Sequence, residues 1–415
     1  MIGDQPVCVP HFVPLKTKQG MHPNELLRRL DGRALVIWGC GHMGRAMVRV
    51  LRKFCAPETT LFFCDRRAAL IGTRVDGVPV LSVDTAIHDA RDRRSMVVVA
   101  VGGGLAEIVR QAEESGLRHG EDLVTFRRLA RPEASIQILR GEQLMTLAAY
   151  NAAVRKLVRE VPHLFQVELI GSPDPLLHPD LPRMIEAVRD HTACVVASGL
   201  QSIEEAVRRT VNSGPSLFVL RAGSDYAPWQ LRTKLALIAK LREEGSLTEF
   251  RVNYVRRRAD TEAIRHEVTS ICAEFGIPLV TSHGYVEYDR LLDYCRGTAT
   301  DPTLKSDISG MSWDLEAALE FARIDQDQPC LCQRIFPVIN HDLSVAVCHL
   351  YERPRVAGDF LAQSYDSLIE ERHRSEHCKE CQEHALHRLD VDVLESRHEK
   401  FKLPGEESYA GRNLS

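Results

Sequence analysis

The chain has 415 residues, 44% hydrophobic and 27% charged, enough for two to four domains at roughly 100–200 residues each. Its formal net charge is −4, which gives no global pull toward nucleic acid or an anionic membrane, so neither is an expected partner. The longest apolar run, Met96–Val101, is too short to cross a bilayer, and Met1–Gly20 lacks the basic-then-apolar pattern of a signal peptide, which makes a cytoplasmic location the default expectation.

In chain order, the first buried strand is Ala34–Trp38, followed at once by Gly39-Cys40-Gly41-His42-Met43-Gly44 and a helix from Arg45 to Phe54. GxGxxG between a strand and a helix is the fingerprint of a dinucleotide-binding turn. In that fingerprint Gly39 makes the tight turn, Gly41 lets backbone approach a pyrophosphate, and Gly44 packs helix against strand. His42 and Met43 sit where the helix N-terminus offers N–H groups to an anion. A second strand, Thr60–Cys64, ends in Asp65, placed about 20 residues on, where an acid binds ribose hydroxyls. Arg66 beside it leaves a 2′-phosphate, and so NADP, open. Further strands are expected at Ser95–Val101 and Asp122–Phe126. Residues 1–130 thus read as a Rossmann-like domain with NAD(P) as candidate cofactor; such a domain that binds another nucleotide, or nothing, fits the same pattern.

From residue 135 the pattern becomes strand then helix, repeated. Strands are expected at Ser135–Leu139, Gln166–Ile170, Ala193–Ala197, Ser216–Leu220, Phe250–Val255 and Pro278–Thr281, with helices over 144–161, 180–190, 202–212, 228–243 and 260–275. Six βα units predict an α/β fold with a parallel sheet, open or curled into a partial barrel. Function is then expected at the C-terminal strand ends, which carry Arg140, Asp174, His178, Ser198, Arg221, Asn253, Ser282 and His283.

The segment from Val167 to Leu181, with Gly171-Ser172-Pro173-Asp174-Pro175-Leu176-Leu177-His178-Pro179-Asp180 at its centre, resembles the GGEPLLHPDL segment of radical SAM enzymes. Ser198-Gly199 is similar to their TNG after the third strand, and Phe218–Asp225 to their fourth strand and turn. The resemblance covers residues 135–290 and implies a partial (β/α)6 barrel for residues 131–310. That family binds its SAM-cleaving [4Fe–4S] cluster with CxxxCxxC after the first barrel strand. Here Arg140-Gly141-Glu142-Gln143 follows that strand, and CxxxCxxC occurs nowhere. Asp174 replaces the usual glutamate, and Ser172-Pro173 breaks the double glycine that contacts SAM. Reductive SAM cleavage by this chain alone is therefore not expected.

Five of the twelve cysteines fall between Cys330 and Cys381: Cys330, Cys332, Cys348, Cys378 and Cys381. CxxC sets two thiolates on one turn, a geometry suited to a metal or cluster. The other seven are scattered and mostly read as small core residues, without disulfides in a reducing compartment. Residues 311–415 resemble the SPASM or shorter twitch extension of radical SAM enzymes, with Ile335–Ile339 and Ser344–Val347 as its hairpin. The resemblance implies one auxiliary [4Fe–4S] cluster held by Cys348, Cys378, Cys381 and either Cys330 or Cys332. His387 stands where the fuller SPASM pattern has its next cysteine. Structural zinc, alone or with His373, His377, His384 or His387, remains the alternative.

Three functions follow. The first is an iron–sulfur oxidoreductase of biosynthesis acting on a small molecule or peptide. Direct coupling to a hydride would need a second carrier, because a hydride brings two electrons and a cluster passes one. The second is a non-catalytic scaffold or partner protein with a structural metal. The third is an NAD-dependent dehydrogenase or epimerase working through residues 1–130.

Overall fold

The computed structural model describes residues 23–392 except 56–57, 102–104, 126–132, 200–202, 224–226, 284–285, 312–313, 325, 328–329, 331–337 and 349–355. The first apolar run forms β1 (Ala34–Trp38), which is buried on both faces, as a central parallel strand requires. Around it stand β2 (Leu61–Cys64), β3 (Arg74–Val75), β4 (Val78–Leu81), β5 (Ser95–Val99) and β6 (Leu123–Thr125), in the order β3-β4-β2-β1-β5-β6. All pairs are parallel except β3 with β4. The strand order reverses between β2 and β5, so the crevice beyond β1 is a topological switch point. The β3–β4 hairpin is absent from the expectation above. Its signal was Asp76-Gly77, both at positive φ, a pair that makes the tight hairpin turn.

The second sheet contains β7 (Glu133–Arg140), β8 (Gln143–Leu144), β9 (Gln166–Ser172), β10 (Ala193–Gly199), β11 (Leu217–Gly223), β12 (Glu249–Arg256) and β13 (Leu279–His283). It also takes in β14 (Val338–Ile339), β15 (Ser344–Ala346) and β16 (Val356–Asp359); apart from β8, which pairs with β7, its order is β13-β12-β11-β10-β9-β7-β14-β15-β16. Every strand from β7 through β13 except β8 is parallel to its neighbours. The strands run one to three residues past the C-terminal ends of their expected apolar runs, where residues such as Arg140, Ser172, Ser198, Arg221, Arg256 and Ser282 continue the ladder. Alternate strand residues, such as Ile136, Leu169, Val196, Phe218 and Val252, pack with Tyr150, Met184, Leu235 and Ile271 of the intervening helices in one core. The opposite residues are buried as well and of mixed character, with Ser135, Glu168 and Asn253 beside an apolar patch of Val195, Ala197, Leu217 and Val219.

Gln143–Leu144, of which Leu144 is expected in a helix and Gln143 in the preceding loop, pairs back on β7 instead. The helix starts at Leu147, where the Thr146 hydroxyl caps it by accepting from the Ala149 N–H. The cysteine-bearing hairpin does not stand apart: β14 pairs in parallel with β7, Val338 opposite Ser135. The Ile335–Pro337 part of the expected hairpin and the tail beyond residue 392 lie outside the described residues. The fold is thus α/β with parallel sheets. Among the described residues no helix is long and apolar enough to cross a membrane.

Candidate functional site

The glycine-rich turn sits at the C-terminal end of β1. Gly39 has φ +113°, and a Cβ there would lie 2.8 Å from the Ala100 carbonyl oxygen. Gly44 is tighter still, since a Cβ would stand 1.9 Å from the Gly39 oxygen. Met43 packs half-buried against the N-terminal core. His42 is buried, and both its backbone N–H and its ring Nδ1 face the Glu249 carboxylate, at 2.5 and 2.7 Å. Sequence gave no sign of Glu249, which lies 207 residues away.

Asp65 comes to this turn as expected, but its carboxylate is engaged. Oδ2 accepts from the Cys40 N–H at 3.1 Å and Arg67 Nη2 at 2.9 Å; Oδ1 accepts from the Arg67 backbone and Nε. Burial alone would raise its pKa, yet the Arg67 and Cys40 hydrogen bonds outweigh burial and bring it down to about 2. A carboxylate depressed in the folded state stabilises above its ordinary pKa and loses that contribution as pH falls through the folded value. Wild type should therefore lose stability between about pH 4 and pH 2. Asp65→Asn should cost about 1 kcal/mol at neutral pH, given the exposed side of Arg67, and flatten that acid limb; urea titrations at several pH values check both.

At the C-terminal ends of the large sheet, several expected site residues turn out to hold the loops. Asp174 accepts from Ser198 Oγ (2.7 Å), Gly199 N (3.0 Å) and Leu176 N (2.9 Å), tying β9 to β10. His178 is 1% exposed. Its Nδ1 accepts from the Asp180 N–H, so Nε2 carries the proton and donates to the Met145 carbonyl at 2.9 Å. Asp174, His178 and Ser198 thus serve loop structure. Arg140 is exposed in a hairpin whose turn is only Gly141-Glu142. Of His283, only the backbone pairing with Arg256 is described.

Arg221, Asn253 and Ser282 remain on the second face, joined by two charged residues not singled out above, Glu168 and Arg251. Glu168 is 4% exposed; Ser135 Oγ donates to it at 3.5 Å and Arg221 stands 4.0 Å away. Burial raises the Glu168 pKa against the opposing charges of Arg221 and Arg251. The missed signal was a charge inside an apolar strand, in Gln166-Val167-Glu168-Leu169 and Phe250-Arg251-Val252. Where the chain leaves β9, β10 and β11, Leu177, Ile203 and Trp229 are all more than 60% exposed.

Three of the candidate metal ligands, Cys348, Cys378 and Cys381, are buried, at 7–9% exposure. Cys378 and Cys381 lie on the helix Glu376–Glu383, and a spacing of three residues puts them on one face. Cys348 and Cys381 belong to one buried cluster with Leu319, Leu386 and Leu389. The fully buried Arg372, on the helix Tyr365–Arg374, donates from Nε to the Val347 carbonyl at 2.8 Å, just before Cys348. Cys330 is half-buried, and Cys332 lies outside the described residues. Among the described residues no three His, Cys, Asp or Glu side chains form a metal-holding group. The donors are soft thiols suited to iron–sulfur or zinc, but the described set is partial. His377 and His387 are also buried nearby in sequence. Elsewhere Cys40, Cys64, Cys194 and Cys272 are free thiols inside the cores, as expected, and burial raises the pKa of each.

No protein-family model matches the chain, and no curated protein sequence does. Solved structures that share features with it include the tryptophan synthase α2β2 complex of Pyrococcus furiosus, at 14% identity over 67% of this chain and 97% of that one, TM-score 0.22. Another is fructose-bisphosphate aldolase of Campylobacter jejuni, at 10% identity over 91% of this chain and 96% of that one, TM-score 0.26. Similarity this distant carries nothing over to this chain.

Proposed function

We propose that the chain is a degenerate radical-SAM-like protein: a Rossmann-like unit, a partial (β/α)6 barrel and a twitch-like extension that holds one [4Fe–4S] cluster. In this reading it is an iron–sulfur oxidoreductase of biosynthesis that acts on a small molecule or peptide without reductive SAM cleavage. The observation that carries it is the burial of Cys348 and Cys381 in one cluster, with Cys378 on the same helix face as Cys381. Cys330 or Cys332 would complete the set. Helices gathered on one face of a parallel sheet support the barrel. The two-residue turn after β7 leaves no room for an initiating cluster.

When bound, the cluster would supply one-electron transfer or an iron site for substrate. The chain's own residues shield it with leucine side chains, and Arg372 fixes the strand end that carries Cys348. A substrate at the barrel mouth would meet Arg221 and Arg251 on the wall, and Leu177, Ile203 and Trp229 at the rim. Positive charge beside exposed apolar surface suits an anionic peptide or an amphipathic small molecule. The scaffold reading draws on the same short turn after β7. Hydride transfer from residues 1–130 to a substrate at the barrel mouth gains no support from the geometry: the glycine-rich turn meets the N-terminal end of β12. Strands of seven or eight residues put the mouth roughly 20 Å beyond it, much too far for hydride transfer.

Anaerobic purification with iron, sulfide and zinc analysis tests the proposal. Brown protein with iron and sulfide in equal amounts supports it. Stoichiometric zinc in colourless protein selects the scaffold, and metal-free protein refutes both. Cys378→Ser and Cys381→Ser should each lose most of the bound metal, while Cys272→Ser, in the helix-facing core, should retain it.

A further inference from the structure

The start of a helix presents unpaired N–H groups and partial positive charge, and so favours an anion. The helix His42–Arg52 begins at Gly41, which has no side chain to cap it. The anion it meets belongs to the chain itself. Glu249 accepts from the His42 N–H through Oε1 and meets the His42 ring through Oε2. The Arg45 guanidinium stands 4.0 Å away. A Cβ on Gly41 would lie 2.8 Å from Glu249 Oε1, so a methyl there would push the carboxylate from its present place. Burial works against the Glu249 charge, but hydrogen bonding to His42 and the charges of His42 and Arg45 hold its pKa below the ordinary range.

The contact around this carboxylate is extensive. On the same helix, Arg45 donates to the Leu247 carbonyl at 3.2 Å, and Arg49 reaches the Thr192 carbonyl and Ser216 Oγ at 3.4 Å. Phe165 and Ala193, at the N-terminal ends of β9 and β10, pack into the core of the first sheet.

We propose that the glycine-rich turn is a docking socket for the large sheet, with Glu249 as its resident anion, and that this excludes a dinucleotide from the chain. The diphosphate of a dinucleotide rests on the N–H groups that such a turn presents, and Glu249 already holds one of them. The negative charges of the diphosphate would meet a half-buried carboxylate at contact distance. The acid that would bind ribose is engaged as well, because Arg67 grips Asp65 through both oxygens. What approaches the backbone at Gly41 is a carboxylate instead of a phosphate.

Two measurements on the full chain test this. Calorimetric titration with ADP and with NADH should show no saturable heat for wild type; micromolar binding of either, with Glu249 intact, overturns the proposal. Gly41→Ala and Glu249→Ala, made singly and together, are then compared by denaturant midpoint. Gly41→Ala should lower the midpoint in the wild-type background and by at most half as much in the Glu249→Ala background, because the clash is then gone. An equal shift in both backgrounds overturns the proposal. Each variant's large-sheet transition provides an internal check that the rest of the chain is folded.

Discussion

Gly44→Ala is expected to melt the N-terminal sheet well before the rest of the molecule. Its new methyl would be placed 1.9 Å from the Gly39 carbonyl oxygen, 3.0 Å from the Gly39 carbon and 3.2 Å from the Phe63 ring. Backbone cannot rotate aside as a flexible side chain can, so the helix His42–Arg52 must lift off β1. Lifting it exposes part of an apolar face built from Ala46, Met47, Val50 and Leu51. Overpacking costs 1–3 kcal/mol where neighbours can adjust; here the obstacle is main chain, and about 3 kcal/mol or more is expected. Emission from Trp38, buried in β1, reports the loss when Trp229 and Trp313 are replaced by Phe. A variant within ~0.5 kcal/mol of wild type would show that helix and strand separate more easily than their contact implies.

Arg372→Met should have an effect of similar size at the other end of the chain. The arginine is fully buried and donates to the Val347 carbonyl. Methionine keeps most of the volume but removes the charge and every N–H donor. A buried carbonyl that loses its donor costs about 1–3 kcal/mol, and the complete burial of Arg372 puts the loss at the upper end of that range. About 3 kcal/mol is expected in all. Because the released strand end leads into Cys348, metal retained per folded chain should fall as well, and Arg372→Lys should restore part of it. Unchanged metal content in a folded Arg372→Met protein would confine the arginine to a packing role.

What sequence revealed, and what it hid, follows from how far each signal reaches along the chain. The β1 run, the GxGxxG turn and the six parallel strands rest on local periodicity, and all are found close to where they were expected. The short hairpin after β7 is half-visible: the absence of cysteine there is plain, but Leu144 reads as the start of a helix because its strand pairing with Leu139 is not a local property. Asp65 was placed correctly in space, yet its engagement by Arg67, two residues on, depends on a side-chain rotamer that a motif does not encode. Asp174, His178 and Ser198 were suspected because they are polar at strand ends. Their partners, among them the Met145 carbonyl and the Gly199 N–H, are set by folding. Glu249 was invisible for the opposite reason: nothing near it in sequence resembles an anion site, and its meaning comes from a turn more than 200 residues earlier.

The pairing of β14 with β7 has a consequence for how the protein is made. One edge of β7 is satisfied by β9 and the C-terminal end of the other by β8 soon after they leave the ribosome, but Ser135 and Ile136 on that second edge wait for Val338 and Ile339. Roughly 200 residues separate the two, which at 5–20 residues per second leaves β7 with open hydrogen-bonding groups for roughly 10–40 s of synthesis. An apolar strand with a bare edge is a template for any other extended chain. The nascent protein therefore carries an unguarded stretch of β7 through roughly 200 residues of synthesis, and chaperone protection matters most before Val338 emerges.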